Sequence, residues 1–389
     1  MKLLLTVILA CSLYSSFAYK TYETPEGGLP GKIFYKWNVF SMGADLSYVN
    51  QIEDCGGVYK DSSIIRDPFS IFASHGANTV RVRLWHTPIW TGRWTEGKLY
   101  SDLYDAEKTI RRAKQSGMAV NLDIHYSDEW ADPQNQSIPE AWKGLNLTTM
   151  ADSIYNYTLG VLNYLKSKNL VPEMVQVGNE TNTGMLWPVG RVENENWAAF
   201  GSLLKSGIKA VRDFSATSSI KPLIILHVAQ LQHADWWVNG VFNKAGVNDF
   251  DIIGLSHYAK WSSVASMTAI EQTIRNLLST YSKQVMIVEV AYPWTTINTD
   301  SYANIIGAAD SVAGYPLTTA GQYNYMKDLT QHVFNAGGTG VMYWEPAWIT
   351  SPMHDKWGTG SAWENCAFFD FSGNSLPVLN FMTYPYKTK

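Results

Sequence analysis

"MVQVGNE" (Met174–Glu180) runs as a short apolar strand and then stops on an amide and a carboxylic acid, Asn179 and Glu180. Short, apolar, β-branched runs of this kind are the mark of strands buried on both faces. The pattern recurs as "VFSMGAD" (39–45), "NTVRVRLW" (78–85), "MAVNLDIH" (118–125), "PLIILHV" (222–228), "FDIIGLSHY" (250–258), "QVMIVEV" (284–290) and "GVMYWEP" (340–346). Helical periodicity fills the gaps around 103–117, 149–168, 195–214, 265–281 and 318–337, and more weakly at 65–76 and 232–245. Strands alternating with helices build a parallel sheet, and eight such units predict a closed (β/α)8 TIM barrel with long βα loops.

The chain of 389 residues is long enough for one such barrel as a single domain. Acidic and basic residues nearly balance, 34 against 30, which leaves no basic stripe or arm and excludes nucleic acid as a partner. "MKLLLTVILACSLYSSFAYK" at the start places one Lys before an apolar run and small residues, Ser16 and Ala18, at a cleavable spacing. It reads as a signal peptide over 1–18, with 19–389 as the catalytic barrel of a secreted protein. A second reading of "ILAC" attaches a lipid anchor to Cys11. Sequons at Asn135, Asn146 and Asn156 matter only in a eukaryotic host.

Of the 16 tryptophans, Trp85, Trp90, Trp94, Trp130, Trp142, Trp187, Trp261, Trp294, Trp344, Trp348, Trp357 and Trp363 fall at or after the C-terminal end of a strand. Barrel enzymes build their sites from the loops at that end. Flat aromatic faces stack on the apolar faces of sugar rings, so this bias predicts a groove for a polysaccharide. Single tryptophans of this kind also serve as packing between long loops.

Polar residues end several strands: Arg81 and Arg83 on the second, His125 on the third, Asn179 and Glu180 on the fourth, His257 and Tyr258 on the sixth, Glu289 on the seventh, Trp344 and Glu345 on the eighth. A buried carboxylate is costly unless it is paired or used. A lone strand-end Glu is usually a salt-bridge partner. Two of them, on strands read as lying on opposite sides of the mouth, are the equipment for glycoside hydrolysis. A separation of about 5–5.5 Å gives retention and about 6.5–9.5 Å inversion, and a narrow barrel favours the first. Glu289 is therefore expected as nucleophile and Glu180 as acid/base. Arg81 and Arg83 share one face of their strand. With Tyr258, they are expected to donate to Glu289 and keep it ionised. Glu180 has no cation beside it in sequence and is expected to hold its proton. Asn179 is expected to reach the sugar 2-hydroxyl.

"GADLSYV" (43–49), "NTVRVRLW" (78–85), "HYSDEWADPQNQSIPEAW" (125–142), "VGNETNTGMLWP" (177–188) and "VEVAYPW" (288–294) resemble the arabinogalactan endo-β-1,4-galactanases, glycoside hydrolase family 53, in the clan A of retaining barrel enzymes. The resemblance runs from about residue 38 to about residue 370. It implies endo-hydrolysis of β-1,4-galactan, the side chain of pectin, with Glu180 as acid/base and Glu289 as nucleophile. Supporting positions match Arg81 or Arg83, His125, Asn179, Tyr258 and Trp344. The motifs also place Trp85, Asp128, Trp130 and Trp294 at the substrate groove. Bacterial members of the family carry calcium in the loop after strand seven. Here that loop reads "INTDSYANIIGAADSVAGYP" (297–316), and the spacing of Asp300, Asn304 and Asp310 is not a recognisable calcium loop, so no metal and no cofactor is expected. Cys55 and Cys366 follow the first and last strands, neighbours in a closed barrel, which favours a bridge between them, with two buried free thiols as the alternative. The polysaccharide is the expected partner and the monomer the expected state. Two alternatives stay open: a related clan A β-1,4-glucanase or mannanase, and a non-catalytic polysaccharide-binding barrel.

Overall fold

The computed structural model describes residues 35–193 and 195–387. The leader reading of 1–18 and the anchor reading of Cys11 lie outside them. Eight strands form the barrel: β1 (Ser41–Asp45), β2 (Thr79–Leu84), β3 (Ala119–Ile124), β4 (Met174–Val177), β5 (Leu223–Ala229), β6 (Ile252–His257), β7 (Gln284–Val290) and β8 (Gly340–Tyr343). All neighbours are parallel, and the order β1-β8-β7-β6-β5-β4-β3-β2 closes on itself. The expected (β/α)8 fold is the one observed.

Helices α1 (Val49–Asp54), α2 (Pro68–Ser74), α3 (Leu103–Gln115), α4 (Leu147–Ser167), α5 (Ala198–Ala216), α6 (Leu231–Asn239), α7 (Met267–Tyr281) and α8 (Thr319–Ala336) connect the strands. Several starts are fixed by side chains that accept an orphan backbone N–H: Asp67, Asp102, Asn146, Ser266 and Thr318. The sequon Asn146 is thus the N-cap of α4.

The barrel interior is layered. Met174, Ile225, Ile252, Met286, Val288 and Met342 form an apolar plug. Gly254 leaves room for it, since a Cβ there would fall 2.7 Å from Ile225 Cγ2. Strand side chains alternate, so two residues further on the same inward face come His227 on β5 and, past Gly254, Ser256 on β6. On β7 the same count from Met286 and Val288 would bring Val290 inward and turn Glu289 out. The ladder breaks this parity. Leu255 pairs with Ile287 but Ser256 pairs with Glu289, leaving Val288 as an extra residue in a β-bulge. The bulge turns Glu289 into the barrel and sends Val290 to the outer core.

Two expectations are corrected here. Strands β4 and β7 are not diametrically opposed; they are separated by β5 and β6 along the barrel wall. The Cys55–Cys366 bridge does not form, and both thiols are free. Adjacent strands do not keep the residues after them together. Cys55 caps α1 next to the Asp54–Lys98 ion pair, whereas Cys366 lies in a buried 3-10 turn whose carbonyl accepts from Tyr343 and from Gln322 of α8.

Candidate active site

Gly178 follows β4 with φ +84°, a left-handed turn that glycine adopts without strain. Glu180 follows at φ +45°, an uncommon conformation for a residue with a side chain. The turn lifts Asn179 and Glu180 onto the rim of a cleft of about 1090 Å³ at the C-terminal end of the strands. Glu289 lines the same cleft, and one carboxylate oxygen of each, with a nitrogen of His227, all lie within 4.8 Å of one another.

The two carboxyls have different surroundings. Glu289 Oε1 is 2.8 Å from Arg81 Nη2, and Oε2 accepts the Tyr258 hydroxyl at 2.7 Å. Among the described residues, Glu180 Oε1 accepts only the Ser256 hydroxyl, at 2.5 Å. Burial pushes both carboxyls above the ordinary Glu range. Arg81 and Tyr258 pull Glu289 back, while the charge of Glu289 pushes Glu180 well up. Proximity thus splits two chemically identical groups into one that ionises first and one that keeps its proton.

Arg81 organises the floor. It is fully buried and bonds Asp45 at 2.9 Å, Asp123 at 2.8 Å, Asn179 at 2.7 Å and Glu289 at 2.8 Å. The planar guanidinium can serve four acceptors at once, which a lysine cannot. His125 donates from Nε2 to Asp123 at 2.9 Å and accepts the Ala131 N–H at Nδ1. His227 receives N–H groups of Glu180 and Gln176 at Nδ1, so Nε2 carries its proton and donates to Ser256 at 2.8 Å. Burial lowers the pKa of both imidazoles, His227 the further, and they are neutral.

Residues 41–382 match the family described as glycosyl hydrolase family 53. An arabinogalactan endo-β-1,4-galactanase of Cellvibrio japonicus is 44% identical over 353 residues, covering 90% of this chain and 92% of that protein. The chain belongs to glycosyl hydrolase family 53. Solved structures agree with the family placement. A family 53 catalytic domain from Ignisphaera aggregans superposes with a TM-score of 0.81 at 34% identity, over 94% of this chain and 99% of that domain. A chain from a study of two fungal β-1,4-galactanases gives 0.75 at 32% identity, over 89% and 99%.

The family 53 barrel gathers most of the residues singled out in the sequence. Arg81, Arg83, His125, Trp130, Asn179, Glu180, Tyr258, Glu289 and Trp344 all line the cleft. Trp261, Trp348, Trp357 and Trp363 join them. Trp85, Asp128 and Trp294 do not. Trp85 is buried beneath Trp130, at 5.1 Å and edge-on. Asp128 ties two loops together behind the wall, accepting the Thr87 and Glu140 N–H groups at 2.8 Å each. Trp294 packs on Phe371, 4.8 Å away. The two arginines also part company. Arg83 makes no bond to Glu289 and pairs instead with Glu345 at 3.1 Å. Glu345 is fully buried and also accepts the Tyr48 N–H, a structural role. His257 is fully buried, and burial holds it down to about 4, so it is neutral and away from the cleft.

Sequence reasoning missed Asp45, Gln176, His227 and Ser256. Asp45 closes the quoted strand "VFSMGAD", and the other three lie on the inward parity of their strands, which was the available signal. The acids of the loop after β7 are engaged by protein partners. Asp300 is occupied by the Thr350 hydroxyl and the Ser361 and Tyr302 N–H groups, and Asp310 by the Gly307 N–H and the Lys260 ammonium. At Asp310 the Lys260 ammonium already supplies the positive charge.

Proposed function

We propose that this family 53 hydrolase is a retaining endo-β-1,4-galactanase acting on the (arabino)galactan side chains of pectin. The observation that carries the mechanism is the asymmetric carboxyl pair: Glu180 and Glu289 within 4.8 Å, with Arg81 and Tyr258 on Glu289 alone. That spacing is on the short side, the range that suits double displacement. Glu289, ionised, attacks the anomeric carbon while Glu180 protonates the leaving oxygen. Esterification removes the charge of Glu289, so Glu180, left ionised by that transfer, takes a proton from the water that adds to the anomeric carbon as its bond to Glu289 breaks. Asn179 stands beside the nucleophile through Arg81, at the place suited to the 2-hydroxyl.

The choice of galactan over glucan or mannan rests on the family match and on the Cellvibrio relative's activity. Secretion rests on the leader pattern of residues 1–18, and among the described residues no helix is long and apolar enough to cross a membrane. The test is hydrolysis of linear β-1,4-galactan beside cellulose and mannan, with proton NMR of the first anomer released. Release of the β-anomer from galactan alone is expected. Release of the α-anomer overturns the mechanism, and equal rates on glucan overturn the substrate.

A further inference from the structure

Arg83 is a buried cation that the proposed chemistry does not use. It sits two residues beyond Arg81 on β2 and points into the same interior. Its guanidinium carbon lies 4.2 Å from the ring centre of Trp130, 4.4 Å from that of Tyr48 and 4.5 Å from that of Trp85. Nη1 donates to Glu345, while Nε and Nη2 donate to the Ser101 hydroxyl at 3.3 and 3.0 Å. Tyr48 and Trp85 are buried; Trp130 is half-buried and lines the cleft. The cage therefore has two closed walls and one that meets the substrate space. Trp130 stands on the loop after β3, and its carbonyl is held by the Asn135 side chain at 2.8 Å.

We propose that Arg83 is a positioning residue for substrate binding: anchored by Glu345 and Ser101, its guanidinium holds the Trp130 ring as a platform on which a sugar ring of the galactan chain stacks. The proposal rests on the hydrolase reading above. A loop tryptophan must otherwise give up rotamer freedom each time a sugar binds. A desolvated guanidinium stacked on an indole fixes the ring beforehand, and tryptophan is the best of the aromatic partners for a cation. Lysine keeps the charge but lacks the flat face and the fork that reaches both Glu345 and Ser101. Stacking on the face of a sugar is much the same before and during bond cleavage, so its loss raises KM and leaves kcat.

The experiment compares Arg83→Lys, Trp130→Ala and the double variant on linear β-1,4-galactan across pH. Arg83→Lys is expected to raise KM about tenfold, the scale of one desolvated cation–π contact, with kcat and both limbs of the pH profile in place. The double variant is expected to be no worse than Trp130→Ala, since Arg83 then has nothing to hold. A shift of the acidic limb in Arg83→Lys, a fall in kcat with KM unchanged, or multiplying effects in the double variant each overturn the proposal. Should Arg83→Lys fail to fold, Trp130→Ala alone decides: an unchanged KM overturns it. Were the parent inactive on galactan, the functional reading fails separately. Quenching of tryptophan fluorescence by cello- or manno-oligosaccharides, compared across the same variants, would still read the Arg83–Trp130 coupling.

Discussion

Ser256 stands opposite Glu289 in the β6–β7 ladder and donates its hydroxyl to Glu180. One short side chain therefore spaces the two carboxyls. It touches the acid while its backbone registers the nucleophile, and the register exists only because of the bulge at Val288.

Removing that hydroxyl changes only one of the two groups. Ser256→Ala takes a donor from the Glu180 carboxylate and so favours its protonated form. The alkaline limb of kcat/KM, set by loss of the Glu180 proton, is expected to move up by about one pH unit. A full pH–rate profile checks it.

Tyr258→Phe acts on the other group with the opposite consequence for the optimum. Its hydroxyl favours ionised Glu289, so without it the carboxyl holds its proton to higher pH. Activity needs Glu289 ionised. The acidic limb is expected to rise by about one pH unit, and the optimum narrows from below.

Glu180→Gln is expected to lower kcat by about 10²–10⁴-fold on galactan, the usual worth of a general acid. Glu289→Gln is expected to stop turnover altogether, because an amide cannot form the glycosyl ester. Titration of each variant with galacto-oligosaccharides should show binding retained, which separates lost chemistry from lost fold.

Arg81 cannot be removed cheaply. Its loss strands Asp45, Asp123 and Glu289 without a counter-charge inside the barrel. Arg81→Met is expected to cost about 3–5 kcal/mol of stability in urea or thermal unfolding, by the measure of other buried pairs broken on one side. An equally stable variant would mean that the three acids do not depend on this cation.

Chelation should do little. The acids of the loop after β7 already hold protein donors, and Lys260 supplies the positive charge at Asp310. Addition of EDTA is expected to leave both the unfolding temperature and the rate on galactan unchanged, read by thermal unfolding and reducing-sugar release.

The expectations that failed share a cause. Trp85 and Trp130 both follow strand ends, yet one is packed beneath the other. Asp128 stands two residues from Trp130 in a motif expected at the groove, and it closes a loop behind the wall. Arg81 and Arg83 share a face and differ in depth, which decides that one meets Glu289 and the other an aromatic cage. The cysteines follow adjacent strands and still diverge, because loops after neighbouring strands are not held parallel as the strands are.

What the sequence determined by itself was the list of eight strands, the helices between them and the acids that end the fourth and seventh strands. Those features follow from local chemistry: apolar β-branched runs form buried strands, and polar ends fall at the rim. The tertiary structure decided depth and partnership. Alternation tells which face a side chain takes only while the ladder is unbroken. One extra residue at Val288 turns Glu289 inward, and that bulge is a property of the pairing between two strands, which neither strand carries in its own sequence.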